Sequence, residues 1–156
     1  MEKEEINEKK VIVFQLEEEE YAVSVQQVGS IERIQPITRV PQTEAFVKGV
    51  INLRGVITPV IDIRIRFGLE EKEYTESSRI IIVYLDDMEV GLIVDSANDV
   101  IDIPENAIDP APEIIGSIDT DYIEGVAKMD DRLLILLDLQ KVLTPEEIKQ
   151  LKTVEG

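Results

Sequence analysis

Val11-Ile12-Val13-Phe14-Gln15-Leu16 returns as Ile80-Ile81-Ile82-Val83-Tyr84-Leu85, an offset of 69 residues. At that offset Glu20 meets Glu89, Val25 meets Val94, Ile31 meets Val100 and Ile34 meets Ile103. A second block, Gly49 to Ile63, returns as Gly125 to Leu139 at an offset of 76, so the loop between the blocks is 7 residues longer in the second copy. The chain is therefore an internal duplication, with approximate repeats over 11–67 and 80–143. A lobe of about 60 residues buries a marginal core alone, so two such lobes are expected to pack together and share one. Many short strands punctuated by Gly and Pro point to small barrels rather than a parallel sheet.

Val11 to Leu16 and Tyr21 to Val25 read as a hairpin around the acidic turn Glu17–Glu20, repeated at Arg79–Leu85 and Glu89–Val94. Val28, Ile31 and Ile34 recur at steps of three, which suits a helical turn or a twisted strand. Val56 to Ile61 is a strand whose Pro59 suggests an edge or a bulge. Leu133 to Leu137 is a buried strand, and Asp138 opens a short helical segment through Leu143. Thr144-Pro145-Glu146-Glu147 has the cap, first-turn proline and first-turn acids of a terminal helix over 144–152. Residues 1–9 read as a flexible charged tail. The whole, residues 1–156, is expected to form one unit.

The formal net charge is −17. Nucleic-acid binding rests on Lys and Arg neutralising phosphates, so this charge argues against it, and against anionic membrane surfaces. No window approaches the roughly 20 apolar residues of a membrane span, and the acidic Met1-Glu2-Lys3-Glu4-Glu5 is unlike a secretory leader. A cytoplasmic protein without membrane insertion is expected. The chain contains no Cys and no His. That removes thiolate chemistry, the commonest metal ligand and the commonest general base.

Asp62 and Asp138 are equivalent positions in the two copies, as in a two-lobed acid protease, but neither carries the Asp-Thr/Ser-Gly of those enzymes. Each is better read as a cap at the end of its strand. Asp119, Asp121 and Glu124 match no Ca²⁺-loop spacing. No glycine-rich phosphate loop exists. The chain reads as a binding module, with no catalytic residue, no metal site and no cofactor expected.

The repeats themselves nominate the binding residues. Asn52-Leu53-Arg54-Gly55 faces a stretch in copy two where Asp130 replaces Arg54 and Asp131 replaces Gly55. The fold was built there without the arginine. Gly55 would allow an unusual backbone, Asn52 would steady the turn, and Arg54 would offer its fork to a partner's carboxylate or carbonyl. The plain alternative is an exposed arginine beside a turn glycine. Val28 pairs with Ala97 and Ile31 with Val100; these four suit either the core between the lobes or a groove that takes an apolar helix.

Val47-Lys48-Gly49-Val50-Ile51-Asn52-Leu53-Arg54-Gly55 with Ile57 to Asp62, then Val90-Gly91-Leu92-Ile93-Val94-Asp95, then Ile108-Asp109-Pro110-Ala111-Pro112, resembles the CheW family of chemotaxis adaptor proteins. The resemblance runs from about Val11 to Leu143. It implies two five-stranded β-barrel subdomains of the SH3/OB-like kind and a non-enzymatic scaffold. Its partners would be the regulatory domain of a CheA-type histidine kinase and the cytoplasmic tip of methyl-accepting chemoreceptors, in an array at the inner face of the membrane. By motif position Val28, Ile31, Asn52, Arg54, Gly55, Ala97 and Val100 would bind receptor. Gly49, Asp109 and Ile114 would serve the kinase or a ring contact. Val28-Gly29-Ser30-Ile31 lacks a carboxylate that the family often has, and Ala97 stands where it often has valine. An OB-like barrel for another ligand is the alternative.

Overall fold

A run such as Val11–Leu16 has no polar alternation, so as a strand it must be buried on both faces. The computed structural model, which describes residues 7–41, 43–85, 87–110, 122–129 and 131–155, shows how. Along β1 (Glu8–Leu16), Val11 and Val13 point into one apolar cluster, while Ile12, Phe14 and Leu16 point into another. The second copy repeats this in β6 (Arg79–Leu85). Ile80 and Ile82 enter a cluster of their own, and Ile81, Val83 and Leu85 join Phe14 and Leu16 in the large shared one. Each lobe thus has a private core, and the strands between them serve both.

The remaining strands are β2 (Glu19–Ser24), β3 (Val28–Arg33), β4 (Val47–Leu53), β5 (Val56–Asp62), β7 (Met88–Val94), β8 (Ser96–Pro104), β9 (Ile108–Asp109), β10 (Ile123–Met129) and β11 (Arg132–Leu137). They form two sheets, ordered β8-β1-β2-β11-β10-β9 and β3-β6-β7-β5-β4. The repeats are therefore not the lobes. The first hairpin of each copy leaves its own third to fifth strands and completes the sheet of the other. β1 pairs with β8 and β6 with β3, both antiparallel; β2 pairs with β11 and β7 with β5, both parallel.

The expected five-stranded barrels are corrected in one respect: among the described residues neither sheet closes. In the second sheet no ladder among the described residues joins β3 to β4; the segment that follows β3 reaches β4 by a bridge from Thr38 to Val50. In the first, the two-residue β9 pairs with β10 and raises the count to six strands. Pro36, with no N–H to donate, lies in the segment that would have had to carry the missing ladder. β5 is interior to its sheet, and Pro59 lies just before its ladder with β7, which begins at Val60.

Asp62 ends β5 and Asp138 comes just after β11; each precedes a single-turn helix, α1 (Ile63–Arg66) and α2 (Leu139–Val142). Asp62 accepts from the Arg64 N–H at 2.9 Å and Asp138 from the Gln140 N–H at 3.1 Å. Both carboxylates cap helices at separate places. Burial pushes the Asp62 carboxyl above the ordinary range, against the hydrogen bond from Arg64 N–H. The second helix is the one expected from the sequence; the first is not, although the caps are the same. The terminal helix α3 (Pro145–Glu155) extends beyond the 144–152 expected. Thr144 Oγ1 accepts from Glu147 N–H at 3.1 Å and Glu147 Oε1 from Thr144 N–H at 2.8 Å, a reciprocal capping box. Ile148 and Leu151 seat this helix on the shared core. At the other end, β1 begins at Glu8, paired with Pro104, so Glu8 and Lys9 belong to the sheet and not to a tail. Ile114, Asp119, Asp121 and residues 1–6 lie outside the described residues.

Candidate protein-interaction site

The β4–β5 hairpin closes at Leu53 opposite Val56, leaving Arg54 and Gly55 as a two-residue loop. Both have positive φ, +52° and +88°, which is the pattern of a type I′ turn. Such a turn matches the right-handed twist of its strands, but it suits Asn or Gly at the first position. Arg54 occupies it against the usual steric preference. The Asn52 side chain accepts from the Gly55 N–H at 2.8 Å and holds the loop, as the sequence suggested. Arg54 is left 72% exposed on its side chain, touching one carboxylate, Glu32 on β3, at 3.2 Å. That contact shows how far the second sheet curls, because β3 and β4 are its two edges.

For the turn alone, Arg54→Asn should keep the fold and raise stability by about 0.5–1 kcal/mol, by placing a residue that tolerates this conformation. Chemical denaturation checks it; a lower midpoint would mean that the ion pair with Glu32 outweighs the backbone strain.

Beside the tip Val56 is 50% exposed and Ile57 41%; Ile31, 40% exposed, and Tyr84 are exposed on β3 and β6 of the same sheet. The equivalent tip of copy two is different. Arg132 stands at the position of Val56 and reaches Glu20 at 2.9 Å and Asp99 at 3.4 Å. Copy two therefore does hold an arginine, two residues beyond the place where the repeat alignment shows none, and uses it within the chain. Copy one presents its arginine outward beside exposed Val56. The signal was available in the sequence as the pairing of Val56 with Arg132.

The other nominated residues divide. Val28 and Ala97 are half-buried against the shared core, in agreement with the core reading of those two. Ile31 and Val100, the latter 57% exposed, lie on β3 and β8, the equivalent edge strands of the two sheets. Asn52, Arg54 and Gly55 come together in one turn. Gly49 sits beneath the loop at Thr38, whose carbonyl oxygen is 2.0 Å from where a Cβ would stand. Asp109, on β9, pairs with Val126 and repeats in copy two the place of Thr38.

One residue has no counterpart among the sequence expectations. Arg64 is 4% exposed and donates to Asp95 at 2.8 Å, to the Glu70 carbonyl at 3.0 Å and to Glu17. Glu17 N–H in turn donates to Asp95 at 2.9 Å, and Asp95 N–H to the Gln15 carbonyl at 3.0 Å. The cluster ties a hairpin turn of one sheet to the point where the chain crosses from the other. In copy two Gln140 replaces Arg64, and Gln26 is the copy-one counterpart of Asp95, so the signal was again a disagreement between repeats. The hydrogen bond and charge of Arg64 hold the Glu17 carboxyl below its ordinary 4.5. A carboxylate lowered on folding stabilises fully above its unfolded value and ceases to as pH falls through its folded value. Arg64→Met is expected to lose about 2–3 kcal/mol at neutral pH and to lose less than the parent on acidification below that range. Urea midpoints across acid pH check both; parallel pH profiles would mean that the pair contributes nothing.

Among the described residues, no group of three metal-ligating side chains gathers, and no helix is long and apolar enough to cross a membrane.

The model of the CheW-like domain family matches residues 10–147. The chemotaxis protein CheW of Bacillus subtilis (strain 168) is 53% identical over 138 residues, 88% of either chain. That of Thermotoga maritima is 32% identical over 148 residues, 93% of this chain and 94% of the relative. Among solved structures, the scaffolding protein TtCheW from Thermoanaerobacter tengcongensis superposes with a TM-score of 0.84 at 41% identity, over 90% of this chain and 96% of that one.

Proposed function

This chain belongs to the CheW-like domain family, and from that premise we propose that it is a chemotaxis adaptor joining chemoreceptors to a CheA-type histidine kinase. It works by contact alone, at the receptor arrays on the inner face of the membrane. One observation carries the assignment of a receptor-facing site: the arginine, 72% exposed, at the first position of a type I′ turn, in a protein of net charge −17, where the equivalent tip engages its arginine, 36% exposed, with Glu20 and Asp99. A residue kept in a strained conformation, exposed, beside Val56 and Ile57, with Ile31 exposed on the edge strand that carries its partner Glu32, suits a partner that presents an acceptor next to an apolar helix face. Asn52 and Gly55 shape this turn and Val100 supplies the related apolar position on the other sheet. Val28 and Ala97 support the site from the core side. Gly49, Asp109 and Ile114 are assigned to the kinase or ring contact. Coupling is positional: two partners held on one body, each biasing the pose of the other.

The test is calorimetric titration of the protein with the isolated regulatory domain of its cognate kinase, then of receptor signalling fragment with the parent and with Arg54→Asn. The kinase domain is expected to bind saturably and one-to-one. The more stable Arg54→Asn protein should bind receptor at least ten-fold more weakly with kinase binding unchanged. Absence of kinase binding at high micromolar concentration, with both proteins folded, would defeat the adaptor reading and return the OB-like barrel for another ligand. Full receptor affinity in Arg54→Asn would remove the arginine from the site.

A further inference from the structure

β3 is an edge of its sheet, and the last rung of its ladder with β6 sets Arg33 directly opposite Arg79. Residues so paired share a face, with Cβ atoms about 5 Å apart, and like charges there destabilise the ladder. Arg79 is fixed in place: its Nη1 donates to the carbonyls of Glu76 at 2.7 Å and Ser78 at 2.8 Å. Arg33 is exposed, and among the described residues its side chain has no hydrogen bond or ion pair. In a chain with twice as many acids as bases, an arginine pair without a carboxylate on either member is a local exception.

Arg33 and Arg79 line a hollow of about 590 Å³ with Ile34 and the turn Thr75, Glu76, Ser77 and Ser78. That turn is held by its own side chains. Ser78 Oγ accepts from Thr75 N–H at 2.8 Å, and Thr75 Oγ1 from Ser77 N–H at 3.1 Å. Each hydroxyl used as an acceptor still carries its proton, so Thr75 and Ser78 keep a donor each, and Ser77 adds a third. Against these donors and two positive charges stands one carboxylate, that of Glu76. A tetrahedral dianion offers several oxygens to two guanidinium forks and relieves their mutual repulsion, whereas a carboxylate offers two oxygens and a single charge.

We propose that the hollow between Arg33, Arg79 and the Thr75–Ser78 turn binds an oxyanion of the phosphate class, free or as a monoester. The site lies apart from the Arg54 turn and does not depend on the adaptor reading.

Amide NMR of the full chain, titrated at constant ionic strength with inorganic phosphate, O-phosphoserine, acetate or chloride, tests it. Phosphate is expected to give saturable shifts confined to residue 33 and residues 75–79, with acetate at least ten-fold weaker and chloride without effect. Arg33→Gln should weaken phosphate binding at least ten-fold. In chloride this variant should melt no lower than the parent, since a repulsion has been removed; in phosphate the parent alone should gain thermal stability. Tighter binding of O-phosphoserine would support the site and assign it to a monoester, and tighter binding of phosphate to the free anion. Shifts that chloride reproduces, that never saturate, or that persist in Arg33→Gln would overturn the proposal. So would a loss of stability in chloride from Arg33→Gln, because the arginine would then be structural.

Discussion

Produced as two separate chains, residues 1–72 and 73–156 are each expected to stay unfolded alone and to assemble one-to-one into the native structure when mixed. The reason lies in the strand pairing. Of the nine ladders among the described residues, the four that join β1 to β8, β3 to β6, β5 to β7 and β2 to β11 run between the halves. The first half alone keeps two hairpins, β1–β2 and β4–β5, with no third strand for either. Isolated hairpins are marginal in water, and three or more strands with a covered face are needed for a stable sheet. The shared core is divided the same way, with Phe14, Tyr21 and Ile61 on one side of the cut and Ile81, Leu92 and Ile135 on the other. The interface between halves is thus a domain core cut in two, the kind that gives obligate association. The cut falls between Lys72 and Glu73, outside any strand or helix. Circular dichroism of each fragment and of the mixture, with sedimentation of the complex, decides the matter. Cooperative melting by either fragment alone would show that a repeat folds by itself and would sink the interlocked account.

Gly49→Ala should lose at least about 3 kcal/mol, a large share of the 5–15 kcal/mol that holds a typical domain together. Two causes act at once. The residue has φ +143°, and its new methyl would stand 2.0 Å from the Thr38 carbonyl oxygen. Relief requires the loop at Thr38 to withdraw, breaking the paired Thr38 and Val50 hydrogen bonds, both 2.8 Å. Those bonds span the open edge of the second sheet. The counterpart Gly125 lacks the positive φ and would bring a methyl 2.8 Å from the Asp109 carbonyl, so Gly125→Ala should cost less. Gly55→Ala meets nothing within 4 Å and carries the backbone penalty alone, about 1 kcal/mol. Denaturant midpoints should fall in the order Gly55, Gly125, Gly49. If Gly49→Ala were as stable as Gly55→Ala, Thr38 would not be held where it is, and the edge would be open.

The duplication, the hairpins, the shared core and both aspartate caps were legible in the sequence because each leaves a local mark: a β-branched run, an acidic turn, an Asp before an apolar residue. Which copy completes which sheet was not legible, since Val11–Leu16 has the same composition whether it pairs with β3 or β8. The turn at Asn52–Gly55 was readable because Asn and Gly have few other reasons to sit there. Arg64 was not, because an arginine reads as surface unless its acids are known to converge, and Glu17 and Asp95 lie 47 and 31 residues away. Separating Val28 and Ala97 from Ile31 and Val100 needed burial, which period-two alternation does not give where a bulge shifts the register, as between Val28 and Ser30.

The exchange of hairpins gives the molecule the form of a two-fold dimer whose subunits have been spliced end to end. In a true dimer of one repeat, any change at the β4–β5 tip would appear at both tips, and both would meet the same partner. Joining the copies in one chain releases that constraint. One tip could keep an exposed arginine beside Val56 and Ile57 while the other took acids at the turn and an arginine paired with Glu20 and Asp99. Unlike ends are what the proposed adaptor role requires, and gene fusion is the step that allows a symmetric scaffold to have them.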